Sequence, residues 1–155
     1  MIRGVHHVAI STPRLERLLA FYRDQLGFEE VQRVTWPQGT TQIDSVLALR
    51  DSSARQAMLR SSNLCLELFE FATPEPLPMN PDRPVCNHGH THICMDVVDI
   101  DSEYQRLLAA GVRFHAPPQD FGDVRATYAR DPDGNVFELQ EIVAENDPTR
   151  LAVLE

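Results

Sequence analysis

Residues 4–11 of the chain read GVHHVAIS, a short strand that is apolar except for the adjacent histidines His6 and His7. Neighbouring side chains of a strand point to opposite faces, so only one of the two histidines can face the interior. An amphipathic helix is predicted over residues 13–26 and ends at Gly27. Strand-like runs follow at residues 28–34, 42–49 and 63–71. The first half of the chain therefore predicts the order β-α-β-β-β.

The same order returns in the second half, which begins with GHTHICMDVV at residues 89–98. A helix is predicted over residues 99–110, with Asp99 as its cap and Gly111 as its stop. Strands are predicted at residues 112–115, 124–130 and 135–143. The repetition of one element order indicates an internal duplication.

Aligning His7 with His92 brings further segments of the two halves into register. LELFE at residues 66–70 aligns with FELQE at 137–141, and LALRD at 47–51 aligns with TYARD at 127–131. The alignment predicts an α+β fold of two tandem βαβββ modules within a single domain. In chain order, its parts are module one over residues 4–71, a proline-rich linker over 72–88 and module two over 89–143. The domain as a whole is predicted over residues 1–145, with a C-terminal tail over 146–155.

The composition excludes several classes of protein. Hydrophobic residues make up 43% of the chain and charged residues 24%, which is ordinary for a globular domain. A net charge of −9 without a cluster of basic residues disfavours a nucleic-acid partner. The three cysteines lack CxxC spacing, and no stretch is long and apolar enough for an export signal or a membrane span. We therefore expect a cytoplasmic protein without nucleic-acid or membrane partners.

Four residues that can bind a metal occupy matching places in the two halves: His7, Glu67, His92 and Glu138. A lone strand histidine is more often a hydrogen-bonded or surface residue, and a lone strand glutamate is usually solvated. Glu67 differs because it lies in the apolar run NLCLELFEF, where a buried carboxylate is costly unless it is paired or bound to a metal. Two histidines and two carboxylates brought together would suit one divalent ion such as Zn, Ni, Co, Mn or Fe(II).

Five motifs carry a resemblance to a known family: HHVAIS at residues 6–11, LLAFYRDQLGF at 18–28, LELFEF at 66–71, GHTHICMDVVDID at 89–101 and ARDPDGNVFELQEI at 129–142. The sequence resembles the vicinal oxygen chelate superfamily, the group of glyoxalase I, bleomycin resistance proteins and extradiol dioxygenases. The resemblance spans residues 4–143. It implies that the two modules form a curved eight-stranded mixed sheet around a metal site. It also implies that His7 faces inward and that His7, Glu67, His92 and Glu138 are the ligands.

The resemblance further implies a small substrate with vicinal oxygens, a homodimer, and three possible activities. The full set of four ligands favours a metal-dependent isomerase, epimerase or lyase that transfers a proton through an enolate. Glu67 or Glu138 would be the base, as the glyoxalase I members imply, and Asp44 matches the place where similar epimerases carry an acidic residue. An Fe(II) extradiol-type dioxygenase, in which Glu67 is dispensable, and a non-catalytic ligand-binding or resistance protein are the alternatives.

Overall fold

The computed structural model describes residues 1–151 of the chain, which form two compact units. The first is Met1–Met79 and the second begins at Asn80, so the division falls within the predicted linker at residues 72–88. Each unit contains one mixed sheet and few helices, which confirms the α+β class. The end of the predicted tail, residues 152–155, lies outside the described residues.

The first unit contains a four-stranded sheet in the order β1-β4-β3-β2. Its elements are β1 (His7–Ser11), α1 (Leu15–Ala20), β2 (Glu29–Trp36), α2 (Thr41–Leu47), β3 (Ser53–Arg60) and β4 (Cys65–Thr73). Helix α1 continues as a π-helical turn at Phe21–Gln25, within the predicted helix at residues 13–26. Strand β1 is parallel to β4, and the other pairs are antiparallel.

The second unit repeats this arrangement in a five-stranded sheet, with the order β5-β9-β8-β6 and β7 also paired to β8. Its elements are β5 (His92–Asp96), α3 (Ile100–Ala109), β6 (Arg113–Phe114), β7 (Gln119–Asp120), β8 (Val124–Arg130) and β9 (Val136–Ile142). Strand β5 is parallel to β9. The short strand β7 raises the total in residues 1–151 to nine strands, one more than the sequence predicts.

The prediction of a strand at residues 42–49 is wrong, because this segment contains helix α2. Ile43, Val46 and Leu47 also fit helical spacing, so the short apolar run was ambiguous. The missing strand is β3, which contains no Val, Ile or Thr. Pairing with β2 and β4 on its two edges stabilises β3 despite this composition. The counterpart of β8 is therefore β3, and the alignment of residues 47–51 with 127–131 is also wrong.

In each unit a helix packs on one face of the sheet. Helix α1 contacts β3 and β4, and Leu18, Leu66 and Leu68 are fully buried there. In the second unit α3 contacts β9, where Phe137 and Leu139 are buried in the same way. Since successive side chains of a strand alternate between faces, residues between these buried positions point away from the helix.

Glu70 and Glu141 tie each helix to the last strand of its unit. Glu70 Oε2 accepts a hydrogen bond from the backbone N–H of Leu15 at 2.6 Å, where α1 begins. Glu141 accepts hydrogen bonds from the backbone N–H groups of Asp99 at 3.0 Å and Ile100 at 3.3 Å, where α3 begins. A carboxylate at a helix N-terminus satisfies free N–H groups and interacts favourably with the helix dipole. Both strands are thereby held in place under their helices.

Of the helices within residues 1–151, none combines the length and apolar character needed to cross a membrane.

Candidate metal centre

In the first unit, two of the four predicted ligands come together on adjacent parallel strands. His7 lies on β1 and Glu67 on β4, and His7 Nε2 is 3.3 Å from Glu67 Oε2. The His7 side chain is 41% exposed and the Glu67 side chain 17%. The other oxygen of Glu67, Oε1, accepts a hydrogen bond from Gln56 Nε2 at 3.1 Å. Glu67 is thus oriented with one oxygen toward a buried amide and the other toward His7.

In the second unit, the other two predicted ligands form the same kind of pair. His92 Nε2 on β5 is 3.0 Å from Glu138 Oε2 on β9. Both side chains are more enclosed than those of the first pair, at 25% and 13% exposure. The ring of Tyr128 lies against the His92 imidazole, with ring centroids 4.8 Å apart.

The two pairs occupy identical register positions in their sheets. Opposite Glu67 lies Ala9, two residues after His7, and opposite Glu138 lies Cys94, two residues after His92. The strands on the other side of β4 and β9 repeat the register too. Met58 of β3 pairs with Glu67, and Tyr128 of β8 pairs with Glu138. The duplication thus repeats the strand register that brings a histidine and a glutamate together.

Each pair supplies two ligand atoms that fit one divalent ion. Within residues 1–151, no group of three or more histidine, cysteine, aspartate or glutamate side chains forms a metal-binding cluster. With metal bonds of about 2.0–2.1 Å, two neighbouring ligand atoms lie roughly 3.0–3.4 Å apart. The observed separations of 3.3 and 3.0 Å agree with this range. An imidazole nitrogen and a carboxylate oxygen suit the borderline metals Zn, Ni, Co, Mn and Fe(II).

Several neighbours of the pairs were not identified from the sequence. Gln56 lies on β3, which was not predicted as a strand, and Tyr128 lies on the corresponding strand β8. His6 and Thr91 immediately precede the two histidines and contact their rings. The matching position before each predicted ligand histidine was the signal that could have identified His6 and Thr91.

Cys94 lies opposite Glu138 across the parallel pair of β5 and β9. Although the residue as a whole is exposed, partial burial of its thiol, together with the negative charge of Glu138, raises the pKa of Cys94 to about 12. The thiol is therefore protonated at neutral pH. A protonated thiol is not a nucleophile.

Asp44, the third predicted catalytic residue, lies in α2 and makes three hydrogen bonds. Its carboxylate accepts from Ser52 Oγ at 2.5 Å, from the backbone N–H of Ser52 at 2.8 Å and from that of Asp51 at 2.9 Å. Ser52 Oγ in turn accepts from Trp36 Nε1 at 3.1 Å. The hydrogen bonds from Ser52 and Asp51 lower the pKa of Asp44, so the carboxylate stays ionised. This arrangement fits a residue that fixes the loop after α2.

Replacing Asp44 by asparagine is expected to lower the melting temperature at pH 7, because an amide is a weaker acceptor for these donors. A lowered pKa in the folded state stabilises the fold above the ordinary aspartate pKa of about 3.9 and loses this effect as pH falls below it. The difference between wild type and Asp44→Asn should therefore shrink below about pH 4. Thermal unfolding between pH 7 and pH 3 measures this difference in melting temperature, with a substitution of an exposed aspartate, Asp123→Asn, as control. A difference in melting temperature that does not change with pH would contradict the lowered pKa of Asp44.

Comparison with known proteins agrees with the fold. The model of the Glyoxalase/Bleomycin resistance protein/Dioxygenase superfamily matches residues 4–139. A 2-epi-5-epi-valiolone epimerase of an Actinomyces species is 31% identical over an alignment of 131 positions, which covers 77% of this chain and 66% of the epimerase. The chain thus spans just under two thirds of that enzyme.

Solved structures show the same fold. A glyoxalase family protein of Bacillus cereus matches with a TM-score of 0.83 and 22% identity, over 93% of this chain and 97% of that protein. The fosfomycin resistance protein FosX of Listeria monocytogenes, in complex with Mn(II) and sulfate, matches with a TM-score of 0.61 and 20% identity, over 91% and 93%. The resemblance seen in the sequence motifs is thereby confirmed. With a family model that matches nearly its whole length, the chain belongs to the glyoxalase/bleomycin resistance protein/dioxygenase superfamily, also called the vicinal oxygen chelate superfamily.

Proposed function

We propose that the chain is a metal-dependent enzyme of the glyoxalase type that moves a proton on a small substrate with two neighbouring oxygens. The reaction class is isomerase, epimerase or lyase. The observation that carries the proposal is the repeated histidine and glutamate pair, found at the same register in both units with separations of 3.3 and 3.0 Å.

In this proposal one divalent ion takes all four ligands, His7, Glu67, His92 and Glu138. One histidine–glutamate pair comes from a first unit and the other from a second unit. The two units belong either to one chain or to the two chains of a homodimer. Two carboxylates balance the charge of the ion, so the site is formally neutral. When bound, such an ion supplies Lewis acidity that polarises two neighbouring oxygens of the substrate.

Glu67 and Glu138 are the residues to which we assign proton transfer, each acting as a base when it is loosened from the ion. Each carboxylate is itself largely shielded from water, with side-chain exposures of 17% and 13%. A carboxylate in such surroundings can accept a proton from the carbon next to a carbonyl and leave an enolate. Gln56 Nε2 donates a hydrogen bond to Oε1 of Glu67, and this bond keeps the carboxylate oriented when it accepts a proton.

The number of bases that act decides the product. One glutamate that takes a proton and returns it to an adjacent carbon gives a glyoxalase-type isomerisation. Two glutamates on opposite faces of one carbon give epimerisation. The epimerase relative at 31% identity supports the second form, and the Mn(II) in FosX agrees with a divalent ion on this fold.

Metal content and proton exchange together test the proposal. Protein purified without chelator or affinity tag should contain one divalent ion per chain by elemental mass spectrometry. Two probes, 2-epi-5-epi-valiolone and the methylglyoxal–glutathione adduct, would then be incubated with it in D₂O and followed by NMR. We expect deuterium beside the carbonyl of one probe, loss of exchange after chelation, and its return when the metal is restored.

The alternatives predict other outcomes. Oxygen consumption with a catechol, in protein that contains iron and tolerates Glu67→Ala, would indicate the extradiol dioxygenase activity. Tight binding of a bulky compound by protein that takes up no metal would indicate a ligand-binding or resistance protein. Absence of a bound divalent ion even after reconstitution would contradict the proposed enzyme.

A further inference from the structure

The two ligand histidines each have a side-chain partner on the ring nitrogen that faces away from the glutamate. His7 Nε2 faces Glu67, and His7 Nδ1 lies 2.9 Å from Nδ1 of His6. The two rings are perpendicular, with centroids 5.2 Å apart. His6 precedes the first residue of β1, so the alternation of strand faces does not separate the two side chains.

The second unit repeats this contact with a different residue type. His92 Nε2 faces Glu138, and His92 Nδ1 lies 3.0 Å from Oγ1 of Thr91. Thr91 likewise comes immediately before the first residue of its strand, β5. Imidazole and hydroxyl are chemically unrelated groups, yet both place a hydrogen-bonding atom about one hydrogen-bond length from the same ring nitrogen.

We infer that His6 and Thr91 are positioning residues that hold Nδ1 of His7 and His92 and so present Nε2 to a divalent ion. The inference rests on the proposed metal site. A histidine that binds a metal through Nε2 carries its proton on Nδ1, and this proton needs an acceptor that fixes the tautomer and the ring orientation. His6 Nδ1 and Thr91 Oγ1 are placed to accept it.

The chemistry of the two partners suits this role in both the free and the metal-bound protein. A threonine hydroxyl can donate or accept, and a histidine Nδ1 can do either according to its tautomer. When Nε2 carries the proton and faces the glutamate, the partner donates to Nδ1. When Nε2 is taken by a metal, the partner accepts from Nδ1. One contact therefore holds each imidazole in both states.

His7 depends on this contact more than His92 does. Tyr128 supports the His92 ring from the side, whereas the matching position in the first unit is occupied by Met58. The His7 side chain is 41% exposed, against 25% for His92. We therefore expect loss of the His6 contact to have the larger effect on metal binding.

Matched substitutions at His6 and Thr91 test the inference in the full chain. Thr91→Val keeps the shape but removes the hydroxyl, and Thr91→Ser keeps the hydroxyl. His6→Leu removes the acceptor, and His6→Asn keeps an oxygen near the position of Nδ1. Co(II) affinity would be measured by visible absorbance against a competing chelator, with thermal unfolding of the metal-free variants as a check on the fold.

We expect Thr91→Val and His6→Leu to weaken Co(II) binding by about 10- to 100-fold, and Thr91→Ser and His6→Asn to remain close to wild type. In the Zn(II)-loaded protein, the slowly exchanging Nδ1–H signal of His92 should disappear from the NMR spectrum of Thr91→Val. Wild-type affinity in both loss variants, with His92→Ala unable to bind, would overturn the positioning role and leave the metal site intact. Wild-type affinity in His92→Ala would overturn the site and the positioning role together.

Discussion

Replacing either His7 or His92 by alanine is expected to remove the whole bound divalent ion, because in the proposed site both pairs hold the same ion. The metal content of each variant should fall from one ion per chain to almost none after dialysis. The affinity should fall on the order of a thousandfold, more than the roughly 10- to 100-fold effect of an outer hydrogen-bonding partner. Two independent sites would behave differently, since each substitution would then remove only half of the metal.

Elemental mass spectrometry and calorimetric titration of the two variants separate these cases. His88→Ala is the control, because His88 is an exposed histidine outside both pairs. It should bind metal as wild type does. A double variant, His7→Ala with His92→Ala, should bind no less metal than either single variant. Half-occupancy in both single variants, followed by complete loss in the double variant, would contradict a shared ion.

The pairing of the predicted ligands was accessible from the sequence because it follows from periodicity. His7 and His92 open the first strand of each unit, and Glu67 and Glu138 lie at matching positions of the last strand. A duplicated element order with the same spacing therefore predicts the same contact twice. The apolar neighbours of Glu67 indicated that it needed a partner, and His7 and Gln56 are near its two oxygens.

Other features could not be predicted from the sequence because they depend on how the strands pair in the folded chain. Strand β3 has a composition that does not favour strands and forms because both of its edges are paired. Without β3 in place, Gln56 could not be located beside Glu67. Asp44 was assigned to a strand by the same error, whereas in the structure it accepts hydrogen bonds from Asp51 and Ser52 at the end of its own loop.

Replacing Gly134 by alanine is expected to destabilise the chain strongly, because this glycine has neither the space nor the backbone conformation for a side chain. Its φ is +92°, and a Cβ added there would lie 2.5 Å from both the Cα and the carbonyl oxygen of Pro81. These are backbone atoms, so the overlap requires a movement of the chain. Gly134 also donates a backbone hydrogen bond to the Asp131 carbonyl at 3.0 Å, in the turn that leads into β9.

The surroundings of this turn leave little room for such a movement. Asp131 is only 5% exposed. Its carboxylate accepts hydrogen bonds from the backbone N–H of Asp133 and from the backbone and side chain of Asn135. Arg130 donates to the carbonyl oxygens of Gly134 at 2.9 Å and Pro81 at 3.1 Å. Pushing Pro81 away from Gly134 would therefore break the hydrogen bond between Arg130 and Pro81, beside the turn that precedes Glu138.

Gly122→Ala provides the matched control, since Gly122 has a φ of +91° but nothing within 4 Å of the added Cβ. The left-handed backbone alone should cost about 1–2 kcal/mol in either variant. Overlap with Pro81 should add about 1–3 kcal/mol in Gly134→Ala only, a large part of the roughly 5–15 kcal/mol that stabilises a typical domain. Urea unfolding of the two variants measures the difference. Equal losses of stability would show that Pro81 moves aside freely and that the turn is not held against it.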